Sequence, residues 1–131
     1  MKELTVTTSN ALGSLAAVAE ALGSVGVNIE AISCYGLEDK AIFRVLTADV
    51  SSAVKVLSRV PTAKILESDI LLIKMLNRPG ELGKLTRKLA NKGINLENLY
   101  IVGKKENFTE VAIKPVESDV SKARDVLGVK D

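Results

Sequence analysis

The 131-residue chain has no histidine, no tryptophan and one cysteine, Cys34. Each absence removes a class of chemistry. Without histidine there is no histidine-based dyad or triad, and one thiol permits neither an internal disulfide nor a Cys/His zinc cluster. A lone thiol suits a reducing compartment. Cys34 lies in the apolar run "IEAISCYG" and reads as a small buried hydrophobe. Aromatic residues are scarce too. The four present, Tyr35, Phe43, Tyr100 and Phe108, do not form the stacking signature K/R-G-F/Y-G/A-F-V of RNA-recognition modules. An excess of one charge is also missing, since 18 Lys and Arg against 16 Asp and Glu leave only +2. No nucleic-acid or membrane partner is therefore expected. No run approaches the roughly 18 uninterrupted apolar residues of a membrane span. "LAAVAEA" resembles a signal-peptidase site after Ala19, but "MKELTVTTSN" ahead of it lacks a compact apolar h-region, so the expected location is cytoplasmic. Carboxylates are plentiful, yet none is paired with a nucleophile or metal-ligand pattern. The expectation is a protein without catalytic residues, metal or cofactor.

What the chain does have is a hydrophobic content of 47%, enough for a core, and a repeat. Shifting the sequence by 67 positions lays residues 10–36 on 77–103 without a gap, with eight of 27 positions identical. Average composition would give roughly two. The identities are Asn10/Asn77, Gly13/Gly80, Leu15/Leu82, Leu22/Leu89, Gly26/Gly93, Asn28/Asn95, Glu30/Glu97 and Gly36/Gly103. Further on, "DVSSAVKVL" matches "DVSKARDVL" in six of nine positions at an offset of 70, so three residues enter around "KKEN" and "KPVES".

Periodicity assigns elements within each copy. Leu4 and Val6 alternate with threonines as in a half-buried strand, whereas "ILLIKML" at 70–76 is nearly all apolar and reads as a central strand buried on both faces. Leu15, Val18, Ala19, Leu22 and Val25 recur at helical spacing, as do Leu82, Leu85 and Leu89, and Gly26 or Gly93 caps the end. Two apolar runs then form a hairpin, and a second helix opens near Asp49 or Asp119. "AKILES" supplies a fourth strand in the first copy, while only "GVKD" follows the last helix of the second. The fold class is α+β: two ferredoxin-like βαββαβ units, 1–68 and 69–131, each a four-stranded antiparallel sheet with two helices on one face. The fourth strand of the second unit is expected to be short or missing. The helix-free faces carry apolar residues and call for the other unit or a second copy.

The segment "NRPGELGKL" stands where a helix begins, a place suited to anions. It is not a phosphate loop, because a Walker A motif would need glycine at Arg78 and a hydroxyl at Leu85. Gly80 permits close backbone approach, Pro79 presets the first helical φ, and free N–H groups with the helix dipole favour a carboxylate. Asparagine offers a donor and an acceptor, so Asn77 and Asn95 can take the carboxylate and ammonium of one amino acid. Each also has a purely structural role open to it: Asn77 and Asn10 as helix caps, Asn95 and Asn28 in a turn. Arg78 either meets a ligand or stays at the surface.

These motifs resemble the ACT domain, whose signature joins an acidic residue or asparagine to Pro-Gly-x-Leu and, about 14 residues later, Gly-aliphatic-Asn-aliphatic. Asn77, Pro79, Gly80 and Leu82 fit the first half, and Gly93, Ile94, Asn95 and Leu96 the second. In the first unit Asn10, Gly13, Leu15, Gly26, Val27, Asn28 and Ile29 correspond, but Leu12 replaces the proline. The resemblance covers essentially the whole chain and implies a stand-alone tandem ACT protein of the prokaryotic kind. It implies binding of a free amino acid where the loop of one unit meets the second strand of a neighbour; two asparagines in these motifs hold ligand in the serine-sensing domain of phosphoglycerate dehydrogenase. The site residues would be Asn77, Arg78, Pro79, Gly80, Glu81, Leu82, Asn95 and Leu96, with Asn10, Ala11, Leu12, Gly13, Ser14, Asn28 and Ile29 in the first unit. Aliphatic neighbours favour a small or branched ligand side chain. The implied partners are a second copy, as a homodimer, and a metabolic enzyme. An alternative is a regulatory subunit acting by protein contact alone, like the small subunit of acetolactate synthase.

Overall fold

The computed structural model describes residues 2–129. The chain forms two compact units, Met1–Asp69 and Ile70–Asp131. In the first, β1 (Lys2–Ser9), α1 (Ser14–Ser24), β2 (Ala31–Leu37), β3 (Lys40–Leu46), α2 (Val50–Leu57) and β4 (Lys64–Asp69) follow one another. The antiparallel sheet has the order β2-β3-β1-β4. Leu4 and Val6 of β1, Phe43 and Val45 of β3, Val18 and Leu22 of α1, and Ala53 and Leu57 of α2 form its core. Each fully buried aliphatic side chain stabilises the fold by roughly 1.5–3 kcal/mol.

The second unit repeats this path with β5 (Leu71–Leu76), α3 (Glu81–Asn91), β6 (Leu96–Lys104), β7 (Phe108–Pro115), one turn of 3-10 helix (Glu117–Asp119) and α4 (Val120–Leu127). Its sheet has three strands among the described residues, in the order β5-β7-β6. Leu71, Val111, Ile113, Leu89, Ile94 and Ala123 form a smaller core. The α+β class and the ferredoxin-like order are those expected from the sequence, and no fourth strand of the second unit occurs among the described residues. One expectation is corrected. Among the described residues β5 has a single neighbour and lies at the sheet edge, with Lys74 and Leu76 exposed. β1, its counterpart, is central because β4 covers its other side.

Strand registers place the three extra residues. Ser9 faces Lys40 where Leu76 faces Phe108, so one residue enters before β7. The other two precede α4, in the segment that forms the 3-10 turn. Both first helices of the units end alike: Val27 N–H donates to Leu22 O and Ile94 N–H to Leu89 O, each at 3.0 Å, the six-to-one bond of a Schellman motif.

The second helices start differently. The Asp49 carboxylate accepts from Ser52 N–H at 3.1 Å and caps α2. The Asp119 side chain does not cap α4 and accepts from Asn95 N–H at 2.9 Å, because the 3-10 turn already leads the chain into the helix. Removing the α2 cap in Asp49→Ala should lower stability by about 1 kcal/mol in urea unfolding, whereas Asp119→Ala should leave the α4 cap unaffected.

Candidate functional site

Between the last residue of β1 and the first of α1 the chain has four residues in which to leave the sheet, and between β5 and α3 it has four again. Both connections turn on a glycine in the left-handed region, Gly13 at φ 84° and Gly80 at φ 87°. These glycines are the N-caps, and neither helix start has a side-chain cap. Asn10 and Asn77 are therefore not helix caps, which removes their simplest structural role. Pro79 likewise lies ahead of the helix and presets no helical φ, since α3 starts at Glu81.

In the first unit the loop and the end of the β2–β3 hairpin enclose a cleft of about 500 Å³. Asn10, Ala11, Leu12, Gly13 and Ser14 line one side; Cys34, Tyr35, Gly36, Ala41 and Phe43 line the other. The Ser14 hydroxyl lies 2.8 Å from Ala11 O and accepts from Ala11 N–H at 3.1 Å, fixing the loop. Thr62, at a positive φ of 63°, accepts from Ser9 N–H at 3.0 Å and holds the end of β1. Asn10 N–H donates to Asp39 O at 2.8 Å, and its side chain lies over Gly36. A Cβ at position 36 would come within 2.9 Å of Asn10 Nδ2. Cys34 is exposed in this cleft, contrary to the expected burial, because β2 is the edge strand and the loop stands off its end. Leu12, fully exposed, and Leu15 line the cleft with the exposed Tyr35.

The second unit has the matching cleft, about 360 Å³, lined by Asn77, Arg78, Pro79, Gly80 and Leu82 with Met75, Leu76, Ile101, Lys104 and Thr109. Asn77 Nδ2 donates to Lys105 O at 2.8 Å, leaving its amide oxygen as an acceptor. Arg78 is not poised on its own: its Nε donates to Glu81 Oε1 at 2.8 Å, with Lys84 Nζ 3.8 Å from the same oxygen. Glu81 thus serves the loop rather than the cleft wall. The first turn of each helix leaves backbone N–H groups without intrahelical acceptors, and these lie at the loop lining each cleft.

The other halves of the expected sites lie elsewhere. Asn95 and Leu96 stand at the start of β6, while Asn77 reaches the residue following its end. A strand of this length separates them by roughly 30 Å, so no amino acid touches both within one unit. Asn28 and Ile29 precede β2 in the same way, at the end of the sheet away from Asn10. Asn95 is tied to the second helix region, accepting from Val116 N–H at 3.0 Å through its carbonyl.

The cleft walls on β2, β3, β6 and β7 were not singled out by motif. The available signal was topological: with β3 beside β1, the β2–β3 turn must lie next to the end of β1. Because both loops depend on a left-handed residue, Gly80→Ala should cost about 1–2 kcal/mol in thermal or urea unfolding.

No protein-family model matches the sequence, and no curated protein does. Solved structures do match. Protein BT0572 from Bacteroides thetaiotaomicron is 28% identical and superposes with a TM-score of 0.85 over 97% of this chain and 85% of that one. The ligand-free regulatory subunit of aspartate kinase from Thermus thermophilus is 16% identical, with a TM-score of 0.73 over 97% of this chain and 90% of its own. Aspartate kinase from Clostridium acetobutylicum, an allosteric enzyme, matches 98% of this chain with 32% of its own length, at 16% identity and a TM-score of 0.61. At such identities the last two likenesses are of fold. That fold is the one the motifs implied, two ferredoxin-like units of the ACT arrangement in one polypeptide.

Proposed function

We propose that the chain is a regulatory protein without catalytic activity that binds a free amino acid at its loop clefts and signals by changed association. The observation that carries this reading is the position of the two asparagines. Glycine has taken the cap position, so Asn10 and Asn77 stand at the cleft openings beside the helix N-termini. There an α-carboxylate meets the first-turn N–H groups and the helix dipole, and the amide oxygen of Asn77 receives the ammonium. Asn28 and Asn95 lie too far away to join that ligand from the same unit, so each would contribute to a cleft of a unit in a second copy. A ligand held by two copies favours the arrangement that completes its site, and its effect is limited by its differential affinity for the two arrangements. The regulatory role of the aspartate kinase subunits that share the fold supports the reading.

Leu12, Leu15 and Tyr35, exposed in the lining of the first cleft, favour a second reading. They would suit contact with a metabolic enzyme, the chain acting as a regulatory subunit through protein contact alone. Ligand binding separates the two readings.

Thermal denaturation against the twenty amino acids should show stabilisation by at least one of them, about 2.7 kcal/mol at a hundred times its Kd. Twenty unchanged curves would turn the assignment to protein contact. With a ligand in hand, Asn77→Ala and Asn95→Ala should each weaken binding by roughly 1–3 kcal/mol; unaltered affinity in both would reject the site. Light scattering at tens of micromolar should show a dimer, and a monomer both with and without ligand would refute the shared site.

A further inference from the structure

The two clefts occupy matching places in the repeat but present different chemistry. Ala41 faces Thr8 on β1 and Gly36 on β2; Thr109 faces Met75 on β5 and Lys104 on β6. Ala41 and Thr109 are therefore equivalent positions, and the irregularity of β6 between Ile101 and Gly103 puts Lys104, rather than the Gly103 that aligns in sequence, in the place of Gly36. In the first unit no charged residue lines the cleft, and its floor is Ala41, Phe43 and Cys34.

In the second unit the same floor position carries a hydroxyl. Thr109 is 1% exposed, and its hydroxyl has no hydrogen-bond partner among the described residues. A polar group this nearly covered has few directions from which a partner can reach it. The oxygen is not sealed inside the protein, and Thr109 is part of the cleft lining, so the cleft is where its partner can enter. Beside it Lys104, on the same face as its cross-strand partner, makes no ion pair among the described residues. The neighbouring carboxylate of Glu81 is already engaged by Arg78 and Lys84. Between opening and floor the walls are aliphatic, from Met75, Leu82 and Ile101.

A hydroxyl donor on the floor, with the ammonium of the exposed Lys104 in the lining beside it, fits a second carboxylate one or two methylenes beyond an α-carboxylate held at the helix N-terminus. We propose that the second unit's cleft selects an amino acid with a carboxylate side chain, received by Lys104 and Thr109, and that the first unit's cleft selects a neutral, apolar one. The inference rests on the reading of these clefts as amino-acid sites and adds the ligand class of each. It also accounts for the side chains of the two asparagines. Asn10 covers Gly36 in the neutral cleft, whereas Asn77 is drawn to Lys105 O in the unit where Lys104 occupies the equivalent position.

The test is isothermal calorimetry on the full chain with glutamate, glutamine, aspartate, asparagine and leucine. An acid should bind at least tenfold more tightly than its amide isostere, and Lys104→Met should abolish that discrimination. Thr109→Val, which keeps the shape and removes the donor, should weaken the acid about tenfold and leave leucine unchanged. Circular dichroism melts of the variants verify their folding, and the acid-to-amide comparison in the unaltered chain needs no variant at all. Binding without a preference for acid over amide, or a preference that survives Lys104→Met, would overturn the inference and leave the site reading standing. No heat with any of the five would overturn the inference, and the melts against all twenty amino acids decide the site reading separately.

Discussion

A strand that hands over to a helix packed on its own sheet must lift away and reverse within a few residues, and here it does so in four. That geometry requires a left-handed residue immediately before the helix, which places Gly13 and Gly80 at the N-caps. The rest of the site depends on it. With glycine as cap, the asparagine three residues earlier has no helix to serve, the loop stands clear of the sheet, and a cleft opens between loop and hairpin end. The same reversal brings the first-turn N–H groups to the opening, where they favour a negative charge.

Fold order was readable in the sequence because the pattern was written twice. Leu4, Val6, Val18 and Leu22 show their periods plainly, and all four are buried in the first core. What was not readable depended on neighbours. "ILLIKML" looked central because apolar content reports burial in general, not how many strands stand alongside; among the described residues β5 has one. Cys34 looked buried for the same reason, yet it lies on an edge strand where the covering helix has not begun. Of the clefts, the loops 10–14 and 77–82 were legible from their turn residues. Their opposite walls were not, since Thr109 and Lys104 belong to ordinary strand sequence and acquire meaning only from the register.

The repeat has kept its backbone more faithfully than its side chains. Helix ends, strand order and the glycine turns agree between units, while the cores differ in size and the clefts in polarity. This is the pattern expected when a scaffold is preserved by packing and a site is free to diverge on it.

One consequence concerns inheritance. Asn10 rests on Gly36 with no room for a Cβ, whereas the equivalent of Gly36 in the second unit is a lysine. A side chain at position 36 would have to turn the Asn10 amide aside. A recombination event that copied the later hairpin over the earlier one would set a lysine Cβ against Asn10 and displace it from its seat. The two hairpins are thus alike in path but not interchangeable in place, because each is fitted to the asparagine of its own loop.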